Sequence, residues 1–479
     1  MRLPLNKTKI VCTIGPASRS REVMEKLLMA GMNIARLNFS HGDFTGHKEV
    51  IQDLRAAASS TGHRLAIMAD LPGPKMRIGK FASEPVEMKP GDYFTLTTDD
   101  IAGDEKRVSV SFTRLPQVVK PGDTLYLNDG LIQVDVDQVQ GSDVRCRVVV
   151  GGELRSRKGL NLPDIDLGIR AFTEHDRNCM KFALENGVDA VSQSFVENAA
   201  DIDAVRDAAA ALGHHPFVIA KIERTRALSH LDDIIAAADG IMIARGDLGV
   251  ELPIEQIPVV QKQIMRKANM WAKPVITATQ MLESMIANRR PTRAEATDVA
   301  NAILDGTDAV MLSGESAMGS YPVDSAAMLA RIAAAIEPYR TMTSARELFR
   351  DIDLKGKLPP ARLIDLSVET TLEYSDPAAI FVPTHSGKTA RSIARFHLPV
   401  WLVAVSSQET TCQQLQFSSG VHPVCEAEHP GNWKTYVSEW LRATGMEGKL
   451  ALVTEGPSRR HPDANNRLEI VDLSRREGV

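Results

Sequence analysis

The stretch Val218-Ile219-Ala220-Lys221-Ile222-Glu223 reads as a β-strand carrying an ammonium and a carboxylate where a buried strand should carry neither. Side chains alternate faces along a strand, so Ile219, Lys221 and Glu223 point one way and Val218, Ala220 and Ile222 the other. An unpaired buried charge is strongly disfavoured, so the pair implies a metal, an anionic ligand or each other. A salt bridge at a strand end and a functional site both satisfy that requirement. Asp247, after the next apolar run, supplies a second carboxylate. Such a pair suits a hard divalent cation such as Mg²⁺, which takes one or two carboxylates and completes its shell with substrate oxygens; two helix-capping acids are the plainer alternative. Lys221 beside that pair would be a cation over a transferring phosphoryl group, a reaction governed by positioning and charge neutralisation. Arg36 would add a second positive group. In Ala244-Arg245-Gly246-Asp247-Leu248-Gly249 two glycines at a strand-to-helix turn let backbone N–H groups approach a ligand carboxylate. Thr279 is a strand-end hydroxyl, fit to relay a proton or to cap a helix.

Positioning these groups requires a particular order of elements. Apolar, β-rich runs at 10–14, 33–39 and 65–71 alternate with helical patterns at 21–30 and 47–59. From residue 72 to about 170 the texture changes to short alternating strands (93–97, 124–127, 132–136, 144–150) separated by Pro-Gly, Asn-Asp-Gly and Gly-Gly turns, an inserted all-β domain. The βα alternation resumes at 190–195, 217–223, 240–244, 274–279 and 309–313. Three units before the insert and five after it predict an α/β protein built on a (β/α)₈ TIM barrel, in which chemistry sits at the C-terminal strand ends. Asn38, Ser40, Asp70, Lys221, Glu223, residues 245–247, Thr279, Ser313 and Glu315 all fall there. Any one of them would serve as a cap; their joint convergence on one rim points to a site. Beyond a helix at 325–336, strands at 379–382, 401–406 and 450–454 predict a separate α/β domain. The expected boundaries are 1–71 with 170–345 for the barrel, 72–169 for the insert and 346–479 for the last domain.

Composition narrows the class further. The 479 residues are 43% hydrophobic and 24% charged, with a formal net charge of -5, which gives no basic surface for a nucleic-acid partner. Five cysteines without CxxC spacing suggest neither a disulfide framework nor a zinc site, and fit a reducing cytoplasm. The N-terminus has no leader pattern and no apolar run approaches a membrane span, so no membrane partner is expected.

Several long motifs carry a resemblance: TKIVCTIGPAS (8–18), GMNIARLNFSHG (31–42), VIAKIE (218–223), MIARGDLGVE (242–251), VITATQMLESM (275–285) and the run from Pro291 to Pro322. Over essentially its whole length the chain resembles the pyruvate kinase family. The resemblance implies that phosphoenolpyruvate and ADP give pyruvate and ATP, with the insert acting as a lid and the last domain carrying a regulatory site. It implies Lys221 as the catalytic lysine, Arg36 on the transferring phosphate, and Glu223 with Asp247 on Mg²⁺, with Mn²⁺ as an alternative ion. Residues 244–247 (Ala244, Arg245, Gly246, Asp247) match the segment on the substrate carboxylate, with Ser313 beside it, and Thr279 matches the threonine linked to proton delivery. Asn38, His41, Arg77, Lys158 and Asp129 match the nucleotide side. A cytoplasmic homotetramer is implied as well.

The chain departs from the family pattern in one place. Many members need K⁺ and continue strand three into a DTKGPEIR-like segment; here it reads Asp70-Leu71-Pro72-Gly73-Pro74-Lys75-Met76-Arg77. Asn38, Ser40 and Asp70 match three K⁺ ligands, but the Leu71 side chain offers no oxygen. A tethered Lys75 ammonium would replace the missing charge, so K⁺ is expected not to be required; a solvated lysine at the lid hinge is the alternative. In the last domain Thr384-His385-Ser386-Gly387-Lys388-Thr389 follows a strand and opens a helix, a phosphate-site pattern that matches the family's effector loop, although an N-capped helix with an incidental lysine has the same look. A basic loop at 456–462 is expected to close over a phosphorylated effector. Two other classes share the barrel features: a Mg²⁺-dependent lyase or decarboxylase acting on a pyruvate enolate, and a non-catalytic metabolite sensor.

Overall fold

The computed structural model describes residues 3–342, 360–428, 430–456 and 465–474. Eight parallel strands close into a barrel: Lys9–Thr13, Met32–Asn38, Ala66–Asp70, Ala190–Gln193, Phe217–Ile222, Gly240–Ala244, Val275–Ala278 and Ala309–Leu312. They are barrel strands one to eight below. The expected eight units are all present, with ends that differ by a residue or two.

Inward and outward faces separate cleanly. On strand three Ile67, Ala69 and Leu71 join the core between barrel and helices, while Ala66 and Met68 join the set that fills the barrel itself. That inner set, with Val11, Ile34, Ile219, Met242, Ile276 and Met311, is the packed floor under the rim. One step higher on the same inward faces the residues turn polar: Thr13, Arg36, Asp70, Ser192 and Lys221. Register sets their company, since Asn38 and Ser192 both stand opposite Asp70 in the neighbouring ladders.

The insert is a six-stranded sheet with a separate two-stranded ribbon, packed around its own apolar core of Phe94, Leu96, Leu125 and Val134 among others. Besides the strands expected from the sequence it contains Val86–Met88, Arg107–Ser109, Gly152–Leu154 and Leu160–Asn161. Its first hinge is pinned by a helix cap. Thr173 and Asp176 form a reciprocal capping box at the start of Glu174–Glu185, and the second oxygen of Asp176 accepts the Gly73 N–H at 2.9 Å.

The C-terminal domain is a five-stranded sheet in the order Val421–Cys425, Trp401–Ser406, Ala379–Pro383, Leu450–Glu455, Arg467–Asp472, the last strand antiparallel. The basic loop at 456–462 lies, beyond Gly456, outside the described residues. This domain also closes the bottom of the barrel. Phe417, in a short 3₁₀ turn, stacks on Phe217 at 5.0 Å between ring centroids and belongs to the inner barrel set. Replacing a fully buried aromatic side chain by alanine costs ~3–5 kcal/mol. Phe417→Ala should therefore lower the urea midpoint of barrel unfolding and loosen the two domains; an unchanged midpoint would contradict the plug.

Candidate active site

The polar layer is an ion-pair chain of Arg36, Asp70, Lys221 and Glu223. The Asp70 carboxylate, 3% exposed, accepts from Arg36 Nε at 3.0 Å and Nη2 at 2.5 Å, and lies 3.3 Å from Lys221 Nζ. Ser192 donates its hydroxyl to the same carboxylate at 2.5 Å. Lys221 Nζ also donates to Ser194 Oγ at 2.6 Å and reaches Glu223 Oε1 at 2.8 Å. Arg36 spends a further N–H on Thr13 Oγ1, 2.9 Å away. Lys221 is thus paired with Glu223, which meets the salt-bridge explanation of the charged strand.

The titration behaviour follows from this geometry. Burial alone would push the Asp70 carboxyl up, but the Lys221 and Arg36 charges and the Ser192 hydrogen bond overcome it and hold it at about 2. Burial would lower the Lys221 ammonium, but Asp70 and Glu223 more than offset it and keep it protonated above its ordinary value. Burial pushes the Glu223 carboxyl up, and the nearby Asp247 charge adds to the push despite Lys221. Asp247 therefore stands near enough to Glu223 for its charge to be felt there. Among the described residues no three His, Cys, Asp or Glu side chains gather into a metal cluster. A two-carboxylate donor set fits a hard divalent ion that draws its other ligands from substrate and water.

At strand six the chain enters a helix, Arg245–Glu251, directly at the rim. The Arg245 side chain turns aside to a bidentate pair with Asp298, both contacts 2.7 Å, and donates to the Thr279 carbonyl at 2.9 Å. Its backbone, not its guanidinium, is what this turn can offer a ligand. Gly246 N–H donates to Thr279 Oγ1 at 2.7 Å, and Thr279 Oγ1 donates to the Ala278 carbonyl at 2.6 Å. Thr279 has φ 68°, in the left-handed region that a β-branched residue rarely occupies, so the hydroxyl is held at the strand end against a backbone penalty. Ser313 is fixed through its N–H to Glu315 Oε2 at 2.8 Å, and fully buried Glu315 also receives Leu282 N–H.

Asn38 and His41 line a cavity of about 430 Å³ with Thr13, Gly15, Arg19, His47 and Met318, beside strands one and two. Burial, then the charges of Arg77, Lys75 and Arg36, lowers the His41 imidazole. Lys75 and Ser40 are exposed. Leu71 faces the outer core, and its carbonyl accepts from Ser194 Oγ at 2.7 Å. Arg77, Lys158 and Asp129 meet at the lid base: Arg77 bridges to Gly159, Ile78 donates to the Lys158 carbonyl, and a Cβ on Gly159 would lie 3.3 Å from Asp129 Oδ1. In the C-terminal domain Gly387, at φ 74°, caps the helix Lys388–Ala394, and its N–H donates to Thr384 Oγ1 at 3.0 Å. His385, Ser386, Lys388 and Thr389 are exposed around it.

Sequence reasoning missed Thr13, Ser192 and Ser194, which orient the charges. Their signal was an inward register with Asp70 and Lys221, visible only once strand four is paired with strands three and five.

A model described as "Pyruvate kinase, barrel domain" matches residues 5–326, and one described as "Pyruvate kinase, alpha/beta domain" matches 363–471. The pyruvate kinase of Thermococcus litoralis is 49% identical over 95% of this chain and 96% of its own length. That of Geobacillus stearothermophilus is 42% identical over 98% of this chain and 80% of its own. A crystal structure of a pyruvate kinase from Cryptosporidium parvum superposes with a TM-score of 0.90 at 33% identity, covering 98% of this chain and 96% of that one.

The depressed Asp70 carboxyl carries a definite pH signature. A carboxyl whose folded pKa lies below its unfolded value stabilises the fold above the unfolded value, near 4, and that contribution disappears as pH falls through about 2. The wild-type protein should lose about 2 kcal/mol between those limits from this group. Asp70→Asn should be less stable at neutral pH and lack that part of the acid slope; parallel stability–pH curves for the two proteins would contradict the assignment.

Proposed function

This chain belongs to the pyruvate kinase family, and on that premise we propose how its residues perform and regulate the phosphoryl transfer. It is a phosphotransferase of the last step of glycolysis. The observation that carries the assignment of roles is Lys221, held protonated between Asp70 and Glu223 at the rim.

The phosphoryl group of phosphoenolpyruvate passes from the enol oxygen to a β-phosphate oxygen of ADP, and the enolate left behind takes a proton on carbon to become pyruvate. Arg36 binds the transferring phosphoryl oxygens with its planar fork, whose orientation is set by Asp70 and Thr13. Lys221 stands on the charge that develops on the phosphoryl group and then on the enolate oxygen. The backbone turn at residues 244–247, whose Gly246 N–H is held by Thr279 Oγ1, receives the substrate carboxylate with Ser313, and Thr279 belongs to the path that delivers the proton. Glu223 and Asp247 would hold the divalent ion, Mg²⁺ or alternatively Mn²⁺, which when bound would neutralise substrate and phosphate charge. Asn38 and His41 lie on the nucleotide side of the rim, and Arg77, Lys158 and Asp129 complete that side from the lid.

Lys75 takes the place of K⁺, with Asn38, Ser40 and Asp70 as remnants of the ion site; its charge acts on His41 together with Arg36 and Arg77. Residues 384–389 (Thr384, His385, Ser386, Gly387, Lys388, Thr389) bind the phosphate of an allosteric effector. The domains are 1–71 with 170–345, 72–169 and 346–479, and the enzyme works in the cytoplasm as a homotetramer.

ATP formation from phosphoenolpyruvate and ADP with Mg²⁺ tests the reaction. The wild type should form ATP and Lys221→Met should be slower by about 10²–10³-fold, the size typical of losing one charge-stabilising group; no ATP from the wild type would overturn the reading. With K⁺ replaced by tetramethylammonium the wild-type rate should persist, whereas Lys75→Met should fall at least about tenfold. A wild-type loss of about a hundredfold, ~2.7 kcal/mol of barrier, would refute the role of Lys75.

A further inference from the structure

Arg224 follows Glu223 directly, yet its side chain leaves the catalytic cleft altogether. It is 2% exposed and sits where three segments meet. Nη1 donates to Glu197 Oε1 at 2.6 Å, in the loop after strand four, and Nε to Glu251 Oε1 at 3.2 Å. Nη2 donates to the carbonyls of Leu162 and Ile165, at 3.0 and 3.1 Å, in the segment that returns from the lid to the barrel. Its two neighbours reinforce the junction. Thr225 Oγ1 contacts Asp164 at 2.7 Å and Thr225 N–H donates to Glu251 Oε2 at 2.8 Å, while Arg226 reaches Asp166 and Glu197.

Glu251 ends the same short helix whose first turn holds Asp247. Val250, between them, also lies against the lid: a Cβ on Gly130 would lie 3.3 Å from its side chain. Both carboxylates of the cation pair are therefore linked through a few bonds to the return hinge, Glu223 along the chain to Arg224 and Asp247 along the helix to Glu251. A guanidinium suits this junction because its rigid donors serve two carboxylates and two carbonyls at once; lysine, with a single nitrogen, cannot span them.

We propose that Arg224 is a positioning residue that couples the carboxylate pair Glu223–Asp247 to the lid's return hinge, so that loading the cation and settling the lid on the nucleotide are one event. The inference rests on reading Glu223 and Asp247 as the cation ligands. Arg224 touches no reacting atom. Its effect is exerted on the lid-borne groups Arg77, Lys158 and Asp129.

The test is amide hydrogen exchange of residues 160–168 in the full-length protein, with and without Mg²⁺ plus phosphoenolpyruvate. In the wild type these amides should exchange at least about tenfold more slowly when loaded. In Arg224→Lys that dependence should vanish, and KM for ADP should rise about tenfold while KM for phosphoenolpyruvate stays within about threefold. A wild-type hinge whose exchange ignores loading overturns the proposal whether or not the variant folds. A folded Arg224→Lys that keeps wild-type dependence and an unchanged KM for ADP overturns it too. Failure of the underlying reading is distinguishable, because Mn²⁺ binding, followed by its electron paramagnetic resonance signal, would then be unaffected by Glu223→Gln or Asp247→Asn.

Discussion

A single carboxylate between two cations sets the arrangement of the rim. Asp70 is almost fully buried, and burying a carboxylate is tolerable only because Arg36, Lys221 and Ser192 all address it. Removing it would leave two positive groups facing each other over an apolar floor of Met68, Ile219 and Met242. Lys221 addresses Asp70, Ser194 and Glu223, and Arg36 addresses Asp70 and Thr13. The same carboxylate thus stabilises the barrel and aims its two cations. This is the sense in which fold and site are one structure: the apolar layers fix the strand register, and the register brings Arg36, Asp70, Ser192 and Lys221 together.

The barrel was legible because its strands are continuous apolar runs with β-branched enrichment and its helices carry a different period. The charged strand end was legible because Lys221 and Glu223 break such a run. Other parts carried weaker signals. Val421–Cys425 contains His422 and Pro423, and Arg467–Asp472 is largely exposed and polar, so neither stood out as a strand. The long lid strand Ile132–Gln140 extends past its apolar half into Asp137, Gln138 and Gln140, where solvent exposure removes the alternation that marks a strand. Asp70 was recognised as a rim residue, but its part as the shared counter-ion depends on which strands adjoin, and that is a tertiary fact.

The lid is held to the barrel by different chemistry at its two ends. The outgoing hinge is held by neutral backbone hydrogen bonds of Leu71 to Ser192 and Ser194 and by Gly73 N–H on Asp176, borrowed from a helix cap. The return hinge is a network of buried ions around Arg224. Gly73, at φ 64°, holds a left-handed backbone in a place where a Cβ would lie 2.8 Å from Phe195, so that hinge needs a glycine. The ion network thus lies beside Glu223 and the glycine hinge beside Lys75.

The proposed cation seat is Glu223, at the end of strand five, with Asp247, in the helix after strand six. Mn²⁺ titrated into the protein with phosphoenolpyruvate present, and followed by the loss of its free-ion paramagnetic resonance signal, addresses it directly. One tight ion per chain is expected, weakened about a hundredfold or more, ~2.7 kcal/mol, by either Glu223→Gln or Asp247→Asn. Tight binding that survives both substitutions would contradict it.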